Sequence, residues 1–231
     1  MHRCWLFYGD VWGFSELARK DQDKALRSLR EALQALKTLR DAAPSVEYFL
    51  FSDTILCLRE IPDQQKSSID SMDAPFDEIL VAVQFLITEL IAANILLRGV
   101  IVFGSLHREG GNEIIFGDAL LDAAEFERKA IAPPLVFLPS VTLQKARKAR
   151  CYSRNYYMQN LEHSLYVETK DGGIIRAQPL LGDRPSNLQQ NLQEALDNMT
   201  LGDRILPREA GALKAALDIV ISTVNKGSRN E

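Results

Sequence analysis

The stretch VEYFLFSDTILCLREI, residues 46–61, limits the fold more than any other part of the chain. Two apolar runs, VEYFLF (46–51) and TILCLREI (54–61), are separated by Ser52 and Asp53 alone. Two residues are too few for a crossover, so the runs must pair as a tight antiparallel hairpin. The flanking patterns then say what sheet the hairpin joins. Residues 2–9 carry aromatic and bulky apolar side chains and read as a strand. From about 15 to 42 the period becomes helical, with Leu26, Leu29, Leu33 and Leu36 on one face and Lys, Arg and Asp on the other. After the hairpin, PDQQKSSIDSMD (62–73) reads as a polar loop. Asp73 or Pro75 opens a long apolar helix, Gly99 ends it, and VIVF (100–103) forms the next strand.

Strand, helix, strand, strand, helix, strand is the ferredoxin-like βαββαβ order, an α+β fold. Next come a loop rich in glycine and charge (104–112), a short strand EIIF (113–116) and a helix from Gly117 to about Ala130. Pro133-Pro134 stops that helix before the strand LVFL (135–138). After about residue 140 the periodicity weakens. LEHSLYVETKDGGIIRAQPLL holds a hairpin turning at Asp171-Gly172-Gly173, with helices over roughly 186–200 and 207–225. The expected organisation is a core over 1–138 and an extension over 139–231, its hairpin and helices packed on the same domain.

Composition narrows the partners. A net charge of −4 argues against a broad nucleic-acid-binding surface, so no nucleic acid is expected. Cys4, Cys57 and Cys151 are scattered, without metal-ligand spacing, and suit a reducing cytoplasm. The most apolar stretch, ILVAVQFLITELIAANILL (79–97), contains Gln84, Glu89 and Asn94 and reads as a buried helix rather than a membrane span. The start MHRCWLFYGD lacks the apolar region of a secretory signal.

Chemistry enters at two aspartates. Asp10 falls where the first strand ends and Asp53 lies in the hairpin turn, and a ferredoxin-like sheet sets those two strands side by side. Two carboxylates facing one spot suit Mg²⁺ or Mn²⁺ beside phosphate oxygens. The helix that starts just after Asp10 offers free N–H groups around 11–15 to an anion. Asp before a helix is also ordinary capping chemistry, and Ser-Asp in a hairpin ordinary turn chemistry. The residues alone leave both readings open.

Four segments, in order, resemble the class III nucleotidyl cyclases. YGDVWGFSELA (8–18) resembles their first metal motif, and FSDTILC (51–57) their second. RGVIVFG (98–104) resembles the strand after the second helix, and FGDALLDAAEFE (116–127) the helix that follows. The resemblance spans about residues 3–138 and implies a class III cyclase catalytic domain. It implies that Asp10 and Asp53 bind two Mn²⁺ or Mg²⁺ ions, with the Val11 carbonyl completing one metal site. Gly13, Phe14 and Ser15 would hold the β- and γ-phosphates through backbone N–H groups. The implied reaction is attack of the ribose 3′-oxygen on the α-phosphate with loss of pyrophosphate, in a homodimer whose sites are shared across the interface.

Departures from the family pattern bear on the base. The transition-state Asn and Arg, four apart on the last helix, align with Leu121 and Glu125, and the base-selecting positions align with Phe49 and Ile114. Arg98, Arg59 and Arg108 lie near strand ends or the following loop and are candidates to replace the lost arginine, Arg98 foremost. Tyr48 and Phe49 are candidates to line the base pocket, although aromatics in a strand also build core. RGVIVFG, GDALLDA (117–123) and EFERKAIAPP together resemble the bacterial Pycsar antiphage cyclases. That resemblance implies a cyclic pyrimidine messenger acting on a separate effector, with UTP taken ahead of CTP as substrate. The alternative is a degenerate cyclase-like domain that binds nucleotide, or a partner, without turnover.

Overall fold

In the computed structural model β1 (His2–Val11) runs through the middle of a sheet, antiparallel to both its neighbours. Residues 2–61, 73–109, 114–129, 135–150, 166–169, 172–175 and 190 are described. The predicted hairpin is present as β2 (Glu47–Phe51) and β3 (Thr54–Glu60), with Phe51 opposite Thr54. Ser52 takes a φ of 57°, the left-handed value that two-residue hairpins need at their first turn position. With β4 (Leu97–Glu109), the strands lie in the order β2-β3-β1-β4, the ferredoxin-like arrangement expected from the sequence. Helices α1 (Phe14–Lys20), α2 (Gln22–Ala42) and α3 (Asp73–Ala92) complete the βαββαβ unit.

Strand alternation gives this sheet two apolar faces. Trp5, Phe7, Val11, Ile55, Cys57, Leu97, Ile101 and Phe103 face α2 and α3. Cys4, Leu6, Leu56, Leu58, Val100 and Val102 face the other way, toward Ala119 and Ala123 of α4 (Asp118–Lys129). Gly104 lies under α4, where an added Cβ would come within 2.8 Å of the Ala119 nitrogen.

Three boundaries differ from expectation. The helix expected over 15–42 is two helices, broken at Asp21, whose side chain accepts from the Lys24 N–H at 2.9 Å and caps α2. The apolar helix stops at Ala92, seven residues before Gly99. Asn94, at φ 59°, donates to the Ile91 carbonyl and Ile95 donates to that of Leu90, so Asn94 fills the left-handed position that usually takes glycine. Gly99 is instead inside β4, opposite Gly9, and the Phe7 ring lies over both. The loop expected from 104 is strand as far as Glu109.

Beyond the unit, β5 (Ile114–Phe116) pairs with the far end of β4. Strand β6 (Val136–Pro139) lies parallel to β4, and α5 (Ser140–Arg150) follows at once. Then β7 (Tyr166–Thr169) and β8 (Gly172–Ile175) form the expected hairpin, which adds to β6 through β8. Gly172 and Gly173 lie in β8 rather than in the turn. Apart from Gln190, which is helical, the helices expected over 186–200 and 207–225 lie outside the described residues, as does the loop over 62–72. Among the described residues no helix is long and apolar enough to cross a membrane.

Candidate active site

The sheet brings four chain segments together at the C-terminal end of β1. The Val11 N–H donates to the Asp53 carbonyl at 3.0 Å, and the Trp12 N–H to the Leu96 carbonyl at 2.9 Å. The end of β1 is thereby fastened to the hairpin turn on one side and to the start of β4 on the other. Asp10 stands opposite Thr54 in β3 and Arg98 in β4. Its alternation with Leu6 and Tyr8 sends its carboxylate to the α4 face.

Arg98 grips that carboxylate with both ends of its fork: Nε donates to Asp10 Oδ1 at 3.0 Å and Nη2 to Oδ2 at 2.6 Å. The same Nη2 reaches Glu127 Oε1 of α4 at 3.4 Å. The side chains of Asp10, Arg98 and Glu127 keep 17, 27 and 31 % of their surface exposed, so the cluster is open to solvent on one side. Tyr8 lies near Glu127 on the same face of the sheet. Its phenol is pushed above the usual range by burial first, then by Glu127 and by the charges of Asp10 and Asp53. Arg98 is held further in its charged form: the Asp10 hydrogen bonds outweigh burial, and the charges of Asp10, Glu127 and Asp53 add to them. Among the described residues, the charges of Asp10, Glu127 and Asp53 thus all act on the Arg98 guanidinium, at the strand end that is bonded to the hairpin turn.

Past Asp10 the chain turns into α1. Gly13 has φ 77°, left-handed, with open space where a Cβ would stand, and its carbonyl accepts from Leu17, the first bond of the helix. Phe14 packs against the core, while Ser15 is exposed. Val11 buries its side chain, so only its main chain is available to a ligand.

Of the residues singled out from the sequence, Asp10, Asp53, Val11 and Arg98 meet here, with the turn of Gly13, Phe14 and Ser15 adjoining. Phe49 shares the face of Asp10 and packs near Leu56 and Tyr8, its ring parallel to that of Phe51 at 6.3 Å. Tyr48 does not join them. One residue along β2, it points to the α2 side, where its hydroxyl accepts from Arg40 Nε at 2.8 Å and its ring lies under the guanidinium. Arg59 is also on that side, bonded to Glu78 of α3. Arg108 lies at the far end of β4, where it is paired with Glu47 and Glu60 at 2.6 Å each.

Two members of the cluster were not foreseen, Tyr8 and Glu127. Tyr8 is two residues before Asp10 and so on the same side of the strand. Ala119, Ala123 and Glu127 recur every four residues on the stripe of α4 that meets the sheet. A carboxylate continuing a stripe of alanines was the available signal.

No family model matches this chain, and no curated protein does. Among solved structures, the adenylyl cyclase CyaB from P. aeruginosa is similar at TM-score 0.47 and 12 % identity, over 78 % of this chain and 97 % of that one. The guanylate cyclase domain of RhGC from Catenaria anguillulae, in complex with GTP, gives 0.46 and 12 %, over 75 % and 93 %. A bacterial light-regulated adenylyl cyclase gives 0.45 and 10 %, over 84 % and 98 %. With TM-scores under 0.5, these likenesses carry no weight for what the chain does.

Proposed function

We propose that this chain is a class III nucleotidyl cyclase that converts a pyrimidine nucleoside triphosphate, UTP ahead of CTP, into the cyclic mononucleotide and pyrophosphate. The observation that carries the reading is the gathering of carboxylates, among the described residues, where β1 meets the β2–β3 turn: Asp10 holds Arg98 by two hydrogen bonds, Glu127 stands 3.4 Å from it, and Asp53 acts on it by charge. Retaining that charge in a half-buried site is costly without a cation. The order of the four motifs along the sequence and the β2-β3-β1-β4 sheet support the same reading.

Two divalent ions, Mn²⁺ or Mg²⁺, fit the donors present. Asp10, Asp53 and the Val11 carbonyl would hold them, and each Asp10 oxygen keeps a lone pair beyond the one Arg98 uses. Phosphate oxygens of the substrate would complete such sites, as Mg²⁺ and Mn²⁺ commonly require. When bound, such ions lower the pKa of the attacking hydroxyl and offset charge on the phosphate oxygens. The 3′-oxygen forms a bond to the α-phosphorus as the bond to pyrophosphate breaks, and the hydroxyl proton leaves to solvent. Gly13 lets the chain turn so that the N–H groups of Phe14 and Ser15 stand free for the β- and γ-phosphates. Arg98 supplies positive charge in the site, where Glu125 replaces the family's arginine.

Phe49, on the site's face of β2, offers a ring to the base and none of the charged groups that select a purine. The reading extends to a cytoplasmic homodimer with sites across the interface, and to a messenger that activates a separate effector against phage. The resemblance to the Pycsar subgroup supports these. A second reading, a degenerate domain that binds nucleotide without turnover, is favoured by Leu121, which stands 69 % exposed at the position of the transition-state asparagine.

Incubation of the purified protein with each of the four nucleoside triphosphates and Mn²⁺, with products identified by mass, separates the readings. The expected result is cyclic UMP from UTP, lost in Asp10→Ala and Asp53→Ala variants whose circular dichroism is unchanged. A cyclic purine product contradicts the base assignment, and full activity in both variants contradicts the metal assignment. Nucleotide binding with no product from any triphosphate supports the second reading.

A further inference from the structure

The Arg98–Asp10 pair raises a conflict within the site. Both Asp10 oxygens that a divalent ion needs are engaged by one guanidinium, at 2.6 and 3.0 Å. A cation arriving at the remaining lone pairs of Asp10 is therefore repelled by the Arg98 charge and weakens the bidentate pair, whose energy opposes its binding. The cost falls if the guanidinium has somewhere else to go. Glu127 provides that place: its Oε1 is already 3.4 Å from Nη2, longer than a hydrogen bond of full strength. Glu127 also lies near Tyr8, on the face of the sheet that α4 covers. It comes from α4, which packs on β4 through Ala119 against Gly104, so its position does not depend on the strand end that binds the metal.

Resting on the metal reading of Asp10 and Asp53, we infer that Glu127 is a positioning residue that receives the Arg98 guanidinium when a divalent cation takes Asp10. Arg98 is then the counter-ion of Asp10 in the metal-free protein and the counter-ion of Glu127 in the loaded one. The exchange keeps every charge paired: one carboxylate passes from guanidinium to metal while its neighbour passes from half-pairing to full pairing. It also turns the guanidinium away from Asp10 with the cation already in place.

The test is a double-mutant cycle read by Mn²⁺ binding, using the electron paramagnetic resonance of free Mn²⁺ on the full chain without nucleotide. The variants are Arg98→Gln, Glu127→Gln, both together, and Asp10→Asn. Removing the competitor in Arg98→Gln is expected to tighten Mn²⁺ binding by about threefold or more. Glu127→Gln is expected to weaken it by about threefold in the native background and to have almost no effect in Arg98→Gln. A Glu127 that only adds negative charge predicts the opposite pattern, a loss at least as large once the guanidinium no longer screens it. That pattern, or weaker Mn²⁺ binding in Arg98→Gln, overturns the inference while leaving the metal site in place. Mn²⁺ binding that Asp10→Asn does not reduce overturns both. A second readout is the Arg98 Nε–H resonance of ¹⁵N-labelled protein, which should lose its protection from solvent exchange on Mg²⁺ addition. Continued protection at saturating Mg²⁺ contradicts the exchange.

Discussion

Asp10 occupies the last part of β1, one residue past Gly9, and the pairing of Gly9 with Gly99 explains how that strand end holds its shape. A Cβ on Gly9 would stand 2.4 Å from Phe7 Cζ and 2.5 Å from the Arg98 carbonyl oxygen. The ring could yield, but the backbone carbonyl could not without moving Arg98. Gly9→Ala should therefore cost about 1–3 kcal/mol in urea denaturation, and should lower product formation beyond what that loss of stability explains. That Asp10, Asp53 and Arg98 come together at one end of the sheet was legible because each falls at a strand end or turn that the alternation marks, although the same marks singled out Arg59 and Arg108, which lie elsewhere. Tyr48 was not, because its neighbour Phe49 has the same aromatic chemistry and only the register against Leu56 and Cys57 decides which of the two faces the site. Glu127 was missed for a related reason. The alanine stripe of α4 places Glu127 on the inward face, but no pattern within the helix says which distant strand supplies the charge it meets.

At the scale of elements, the places where the expected boundaries moved are governed by side chains that cap. Asp21 divides the first helical region, and Asp21→Ala should lower stability by about 1 kcal/mol, seen as a shift of the urea midpoint at unchanged slope. Asn94 ends α3 early because it accepts a left-handed backbone, a signal weaker in sequence than the glycine five residues on. A second fastening joins the loop after α2, strand β3 and helix α3: Glu78 accepts from Ser45 Oγ at 2.6 Å and from Arg59. Burial pulls the Glu78 carboxyl upward, but the Arg59 and Ser45 hydrogen bonds and the Arg59 charge outweigh it and hold it below the usual value. A carboxyl with a lowered folded pKa stabilises the fold above its unfolded value, near 4.3, and loses that contribution as pH falls through the folded one. Urea midpoints measured from pH 7 to pH 3 should fall less steeply in Glu78→Gln than in the native chain, and equal slopes would contradict the assignment.

For the whole molecule, the arrangement follows from one topological fact: β1 sits between β3 and β4. That places the hairpin turn and the start of β4 on either side of the same strand end, and it divides α2 and α3 from α4 across the sheet. The order of elements up to β4 was readable from periodicity because each had a helix or strand period and a punctuating residue. Strand β6, paired with β4 at Gly99 and Val100, and the β7–β8 hairpin extend the sheet past β4, and their place follows from pairing partners that no local pattern names. The central claim is that Asp10 and Asp53 form one divalent-cation and triphosphate site. The most direct measurement is anomalous diffraction from crystals grown with Mn²⁺ and a UTP analogue that cannot cyclise. The account predicts manganese peaks bound by both Asp10 and Asp53, with the triphosphate lying over Gly13–Ser15. Manganese absent from both carboxylates, with Arg98 still on Asp10 and the nucleotide bound elsewhere, would contradict it.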